Sequence, residues 1–343
     1  MLARPIALLC LLLSAGLTGC ANLPVYDPVL PPLPAASLQV DELDTVADGA
    51  RLPVRAWLPA GPPRAIVLAL HGFNDSRDAL ELPAPIFAGS GIAVFAPDQR
   101  GFGAAPLRGR WPGIGTLQSD AATLLRMLRR RYPGVPLFAM GESMGGAVLM
   151  TLAARSDAPP VDGWILLSPA VWGREQMGII LRSGLWLVSS VLPGLSVTGG
   201  EVKLRVVASD NRDALLRLAR DPLTIRRTRF DTLRGLTDLM DAAQAAAPHL
   251  PSNVLALYGE KDAIVPVEAA ARAWQRMPAS VRRGLYPSGY HLLLRDRGRE
   301  SVIADIVSWI LHGDAPLPSR ADRWARLWLD WRERGSGAAG DAD

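Results

Sequence analysis

Pro136-Leu137-Phe138-Ala139-Met140-Gly141-Glu142-Ser143-Met144-Gly145-Gly146 is the stretch that decides the fold. A short apolar run ends at Gly141, the next five residues fit G-x-S-x-G, and a small, apolar segment follows from Gly145 to Arg155. The pattern reads as a buried strand, a very tight turn and a helix. Side chains at the flanking glycine positions would clash in such a turn, and Ser143 is forced into a strained backbone conformation. The strain exposes the Ser143 hydroxyl beside a helix N-terminus.

Outward from this stretch the same punctuation repeats. Ala65–Leu70 ends at His71-Gly72, Ile92–Ala96 at Pro97-Asp98, Trp164–Leu167 at Ser168-Pro169 and Val254–Tyr258 at Gly259. Apolar runs this short, bounded by Gly, Pro or Asp, suit strands buried on both faces. Helix-like segments lie between several of them, such as Ser119–Tyr132 and Glu268–Met277. The alternation predicts an α/β fold: a mostly parallel central sheet with helices on both faces. One segment departs from it. From Ser168 to Asn253 no clear sheet strand is readable; the apolar run Met177–Leu195 is followed by the helix-like Asp213–Leu218 and Arg229–Ala243. This predicts an inserted helical cap at about residues 170–248.

In an open parallel sheet, ligands sit beyond the carboxyl ends of the strands. Ser143 stands at one such end and needs a general base to become a nucleophile. The chain holds four histidines, His71, His249, His291 and His312. His291 follows the short predicted strand Arg283–Tyr286 in a Gly-containing loop, where a base belongs. His312 reads as a helix-end residue, His249 lies in a connection before Pro251, and His71 reads as structural. The base in turn needs an acid to hold its tautomer. Asp262, in the turn after Val254–Tyr258, is preferred to Glu260, which is two residues closer to the strand. An oxyanion would be met by the backbone N–H of Met144, the residue after Ser143, and by that of Phe73 in the loop His71-Gly72-Phe73-Asn74. Asn74, Asp75 and Ser76 are candidates for ordering that loop. Asp98-Gln99-Arg100-Gly101-Phe102-Gly103 lacks the glycine spacing and lysine of phosphate-binding loops and reads as a structural turn. No cofactor is implied, and no cysteine cluster or histidine pair has metal-ligand spacing.

The 343 residues are 49% hydrophobic and 20% charged, which excludes a disordered chain, a collagen-like fibre and a small disulfide scaffold. The net charge of +4 comes from 35 Arg and 2 Lys, spread along the chain, against 33 acids. This predicts no nucleic-acid partner, which would need a clustered basic face. Residues 1–19 read as a signal peptide: a basic n-region to Arg4, an apolar core from Pro5 to Gly16, then Leu17-Thr18-Gly19 before Cys20. Leu17–Cys20 looks like a bacterial lipobox, with Cys20 as the lipidation site. Of the two cysteines, Cys10 would leave with the leader and Cys20 would carry lipid, leaving no thiol for a disulfide. The expected location is the bacterial cell envelope, anchored through Cys20, and Ala21 after Cys20 favours the outer membrane. Residues 20–36, rich in proline, read as a semi-rigid tether. Residues 37–314 form the body. Residues 315–343 read as an amphipathic helix, with Trp324, Leu327, Trp328 and Trp331 at helical spacing, and a flexible tail from Gly335. Docking of this helix on the body is preferred to a place at a membrane interface.

The segments Leu70-His-Gly-Phe-Asn74, Asp98–Gly103, Gly141–Gly146, Tyr258–Asp262 and Gly289-Tyr-His291 together resemble the monoacylglycerol lipase and lysophospholipase branch of the α/β-hydrolases, which overlaps with serine aminopeptidase-like hydrolases. The cap stretch Arg220-Asp-Pro-Leu223 is similar as well, and the resemblance covers about residues 40–312. It implies an α/β-hydrolase fold and a triad of Ser143, Asp262 and His291, with Phe73 and Met144 as oxyanion donors. It implies an ester substrate with an acyl chain, a monoacylglycerol or lysophospholipid type. A peptidase or amidase on the same triad is the alternative within the enzyme class, and an inert lipid-binding envelope lipoprotein the alternative outside it.

Overall fold

The computed structural model describes residues 37–198 and 207–337. The leader, Cys20, the proline-rich tether and the last residues of the tail lie outside the described residues. An eight-stranded sheet forms the centre, in the order β1-β2-β4-β3-β5-β6-β9-β10. These strands are β1 Ser37–Thr45, β2 Arg51–Pro59, β3 Ala65–Leu70, β4 Ile92–Pro97, β5 Leu137–Glu142, β6 Gly163–Leu167, β9 Val254–Gly259 and β10 Arg282–Tyr286. From β4 to β10 every pairing is parallel. The predicted α/β architecture is thus present. β3, β4, β5, β6 and β9 are buried along their whole length, as strands covered on both faces must be.

The first two strands are an addition that the sequence reading did not make. β1 pairs antiparallel with β2, and β2 antiparallel with β4. β2 shows the reason: over its first five positions buried residues alternate with exposed or half-buried ones, so no continuous apolar run marks it.

Apolar residues on the two faces of the sheet form two separate cores. The helix Met144–Ala153, which starts at Ser143, is wholly buried in one of them. Its interior is Ala-Val-Leu-Met, apolar all round, because it lies between the sheet and the helix Phe230–Ala246.

Between β6 and β9 the chain forms the helices Ile179–Val191, Arg212–Arg220 and Phe230–Ala246. Two strands are also present there. β7 Ser196–Thr198 pairs antiparallel with β8 Arg227–Arg229, separately from the central sheet. At three residues each they are too short to carry a period. Helix Ile179–Val191 is unusual: of its side chains only Ser189 is buried, whereas Ile179, Ile180, Leu181, Trp186, Leu187 and Val191 are exposed. Among the described residues, no helix is long and apolar enough to cross a membrane.

The C-terminal helix Ala321–Gly337 packs on β10 at the sheet edge. Trp328 sits edge-on to Trp274 at 5.6 Å and tilted against Tyr258 at 6.4 Å. Arg332 covers its other face.

Candidate active site

Ser143 is at the junction of β5 and helix Met144–Ala153 with φ of 54° and ψ of −114°, a conformation that non-glycine residues rarely adopt. Its surroundings enforce it. Ser143 N–H donates to Leu167 O, and Ser143 O accepts from Ala147 N–H and Ala170 N–H. A Cβ on Gly145 would lie 2.4 Å from Leu70 O, and one on Gly141 2.5 Å from Gly145 O. Only glycines let the turn close this tightly against the end of β3. A Cβ on Gly72 would sit 3.4 Å from Ser143 Cβ, so the loop after β3 lies against the serine.

His291 and Asp262 come from different loops and meet. Asp262 follows β9 and His291 follows β10, and parallel pairing of these two strands brings the loops together. His291 Nδ1 lies 2.7 Å from Asp262 Oδ2, and both side chains are buried. Asp262 Oδ1 accepts from the N–H groups of Ile264 and Val265, which aims the carboxylate. The imidazole therefore donates from Nδ1 and keeps its lone pair on Nε2. Burial alone would push the His291 pKa down. The Asp262 charge and hydrogen bond, with the Glu142 charge, outweigh burial and hold it above the ordinary histidine value. Glu260 is exposed, so Asp262 is the acid that reaches the histidine. No direct hydrogen bond joins Ser143 Oγ to His291 in this structure; such contacts often tighten only when substrate is bound.

The other histidines stand apart. His71 is fully buried; its Nε2 accepts from Gln99 N–H and its Nδ1 donates to Gly72 O. Gln99 Nε2 also donates to His71 O. Burial holds the His71 pKa down, so a neutral ring braces the loop that carries Phe73. His312 ends a helix before Gly313, and His249 ends a short helical turn. Neither backbone N–H of Phe73 nor of Met144 is taken by a backbone carbonyl of another loop among the described residues. Asp98 organises its turn, pairing with Arg77 and accepting from the N–H groups of Arg77 and Ala104. No group of His, Cys, Asp and Glu among the described residues could hold a metal ion.

One charged cluster escaped the sequence reading. Arg295 Nη2 lies 2.6 Å from Asp75 Oδ2 and 3.4 Å from Glu142 Oε1, with all three side chains buried. Asp75 also accepts from Ser76 N–H. Arg295 thereby joins the loop after β3, the residue before Ser143 and the loop carrying His291. Burial raises the Glu142 pKa, although Arg295 and His291 oppose it. The available signal was Glu142 at the end of an apolar strand and Arg295 directly after Leu292-Leu293-Leu294.

A family profile described as serine aminopeptidase, S33 (Hydrolase_4) matches residues 61–298, more than half of the chain. The chain belongs to this family. Relatives include the monoacylglycerol lipase of Mycolicibacterium smegmatis, 26% identical over 77% of this chain and 94% of that protein. The monoglyceride lipase of Rattus norvegicus is 28% identical over 80% of this chain and 91% of its own length. Among solved structures, the Paleococcus ferrophilus monoacylglycerol lipase superposes with a TM-score of 0.63 at 23% identity, covering 76% of this chain and 98% of that one. A soluble variant of the Saccharomyces cerevisiae monoglyceride lipase, in complex with a substrate analog, also gives 0.63, at 20% identity, covering 82% and 99%. At these identities the structures establish the α/β-hydrolase fold. The family match ends at residue 298, so the C-terminal helix lies beyond it.

Proposed function

We propose that this protein is a serine hydrolase of the lipase and esterase kind, and that it cleaves carboxylic esters through an acyl-enzyme. Ser143 attacks the ester carbonyl while His291 Nε2 takes its proton. The oxyanion develops against the backbone N–H groups of Phe73 and Met144, donors typically worth about 3 kcal/mol each in the transition state. The imidazolium is stabilised by Asp262. It then protonates the leaving alcohol, and His291 activates the water that releases the acid. The observation that carries this reading is a serine held at positive φ between β5 and a helix, with a histidine–carboxylate pair 2.7 Å long in the facing loops.

Within that class we favour esters of one long acyl chain, monoacylglycerols or lysophospholipids. Two observations support the choice: several relatives are named as monoacylglycerol lipases, and helix Ile179–Val191 leaves an apolar face uncovered. The family description favours a second reading, a peptidase that uses the same residues. Such an enzyme needs a carboxylate for the substrate amine. Of the two cap acids weighed for that role, Glu175 is exposed and paired with Arg272, and Glu201 lies outside the described residues. An inert lipid-binding lipoprotein remains the reading outside enzymes, and covalent labelling of Ser143 by a fluorophosphonate probe would exclude it.

The test is turnover of monoacylglycerols, lysophospholipids, short soluble esters and aminoacyl amides by the protein and by Ser143→Ala. Preference for long-chain esters, lost in the variant, supports the proposal. Preference for amides moves the assignment to a peptidase. We further propose that Cys20 carries the lipid anchor at the envelope; retention of Cys20→Ser in the membrane fraction would refute this.

A further inference from the structure

The C-terminal helix has two faces that do different things. Ala321, Ala325 and Trp328 point inward and are at most 7% exposed. They hold the helix rigidly on β10, with Trp328 locked between Trp274 and Tyr258. A neighbouring face, about a quarter-turn round the helix, leaves Trp324 50%, Leu327 48% and Trp331 66% exposed. At 100° per residue these three fall within one narrow stripe. Beside it lie the exposed Arg323 and Arg334, with the exposed Arg326 farther round the helix, and Arg320 stands exposed just before the helix. Among the described residues, the acid of that side is Asp330.

We propose that this outer face is a docking surface for an anionic phospholipid bilayer, with Trp324, Leu327 and Trp331 entering the headgroup region and the arginines meeting lipid phosphates. Tryptophan and leucine beside a basic margin are the composition that lies in a membrane–water boundary. Two arguments disfavour other occupants. A second copy meeting this face across a two-fold axis would bring a second, identical basic margin into one small contact. The three apolar side chains offer on the order of 400 Å², taking about 200 Å² for a large aromatic, against the roughly 800 Å² per partner of a stable protein interface. A bilayer sets no such minimum area, and each basic residue near an anionic surface strengthens binding by about fivefold. The helix is already folded and docked, so binding costs no ordering of its backbone. The proposal does not depend on the hydrolase reading.

The test uses the full chain and vesicles of phosphatidylcholine with bromines on the acyl chains, with and without half phosphatidylglycerol, reading quenching of tryptophan fluorescence. The expected result is quenching that is at least fivefold stronger with phosphatidylglycerol and weakens with salt. Trp324→Phe/Trp331→Phe should remove most of it, whereas Trp186→Phe, a change in the cap, should leave most of it. Arg323→Gln/Arg334→Gln should lower the affinity by about 25-fold. Quenching unchanged in the double tryptophan variant would overturn the proposal and assign contact to another face. Absence of quenching would overturn it too, as would a dimer in sedimentation that Trp331→Ser dissociates.

Discussion

Replacing Arg295 by Met tests how the site is held together. The change keeps an unbranched apolar stem and removes the charge that faces Asp75 at 2.6 Å and Glu142 at 3.4 Å. Both carboxylates then remain buried without that counter-charge. Breaking a buried ion pair from one side costs about 3–5 kcal/mol, and the shorter contact, to Asp75, should supply most of it. The pH dependence follows from Glu142, whose folded pKa already lies above its ordinary value because of burial. Without Arg295 it rises further. A carboxyl with a raised folded pKa costs no stability below its unfolded pKa, near 4.3, costs progressively more between that pH and the folded pKa, and costs the full amount above it. The loss should therefore be about 4 kcal/mol at pH 8 and smaller at pH 5, by about 1.4 kcal/mol for each unit of further rise. Urea denaturation at both pH values, read as a shift of midpoint at constant slope, measures it. Adding Asp75→Asn and Glu142→Gln to Arg295→Met should recover part of the loss, since the stranded charges are gone. A loss under 1 kcal/mol at pH 8, or one that grows towards pH 5, would refute the reasoning.

Three further outcomes are expected. In the proposed mechanism the base form of His291 takes the serine proton, and its pKa is raised, so the acid limb of kcat/KM should lie above the ordinary histidine value of about 6.5. Asp262→Asn should move that limb down and lower kcat by on the order of 10³–10⁴; a pH–rate profile of both proteins checks this. Gly145→Ala drives a Cβ to 2.4 Å from Leu70 O, a backbone atom that cannot swing away. Its expected effect is a loss of about 1–3 kcal/mol and of roughly 100-fold in turnover, read by thermal melting and ester hydrolysis. Trp328→Ala should cost about 3–5 kcal/mol, as for other buried aromatics, while Trp331→Ala stays within about 0.5 kcal/mol. Equal losses from the two, by urea denaturation, would mean the faces of the helix are misassigned.

The parallel part of the sheet was legible because each strand is a short apolar run closed by a turn residue, and being buried on both faces leaves that mark. β2 alternates instead, and β7 and β8 are shorter than any period, so pairing rather than composition makes them strands. The candidate site was legible where the chemistry is local: Ser143 in its glycine turn, and Asp262 and His291 at strand ends. Arg295 was not, because its two partners are 153 and 220 residues away in sequence. The C-terminal helix was read as docked, and Ala321, Ala325 and Trp328 are buried. Its spacing did not divide the tryptophans, because Trp324, Trp328 and Trp331 recur at helical intervals whichever face is inside.

The segment between β6 and β9 and the loop after β3 are sewn together at one end. Ile225 N–H donates to Asn74 O, Asn74 Nδ2 donates to Thr228 Oγ1, and Ser76 Oγ donates to Asp221 Oδ2. Asn74 itself sits at φ of 62°, immediately after Phe73. Residues 221–228 cannot swing away without tearing these stitches and dragging the Phe73 amide with them. This segment therefore shares one seam with the loop that lies against Ser143, and away from that seam helix Ile179–Val191 turns its leucines and isoleucines to the outside.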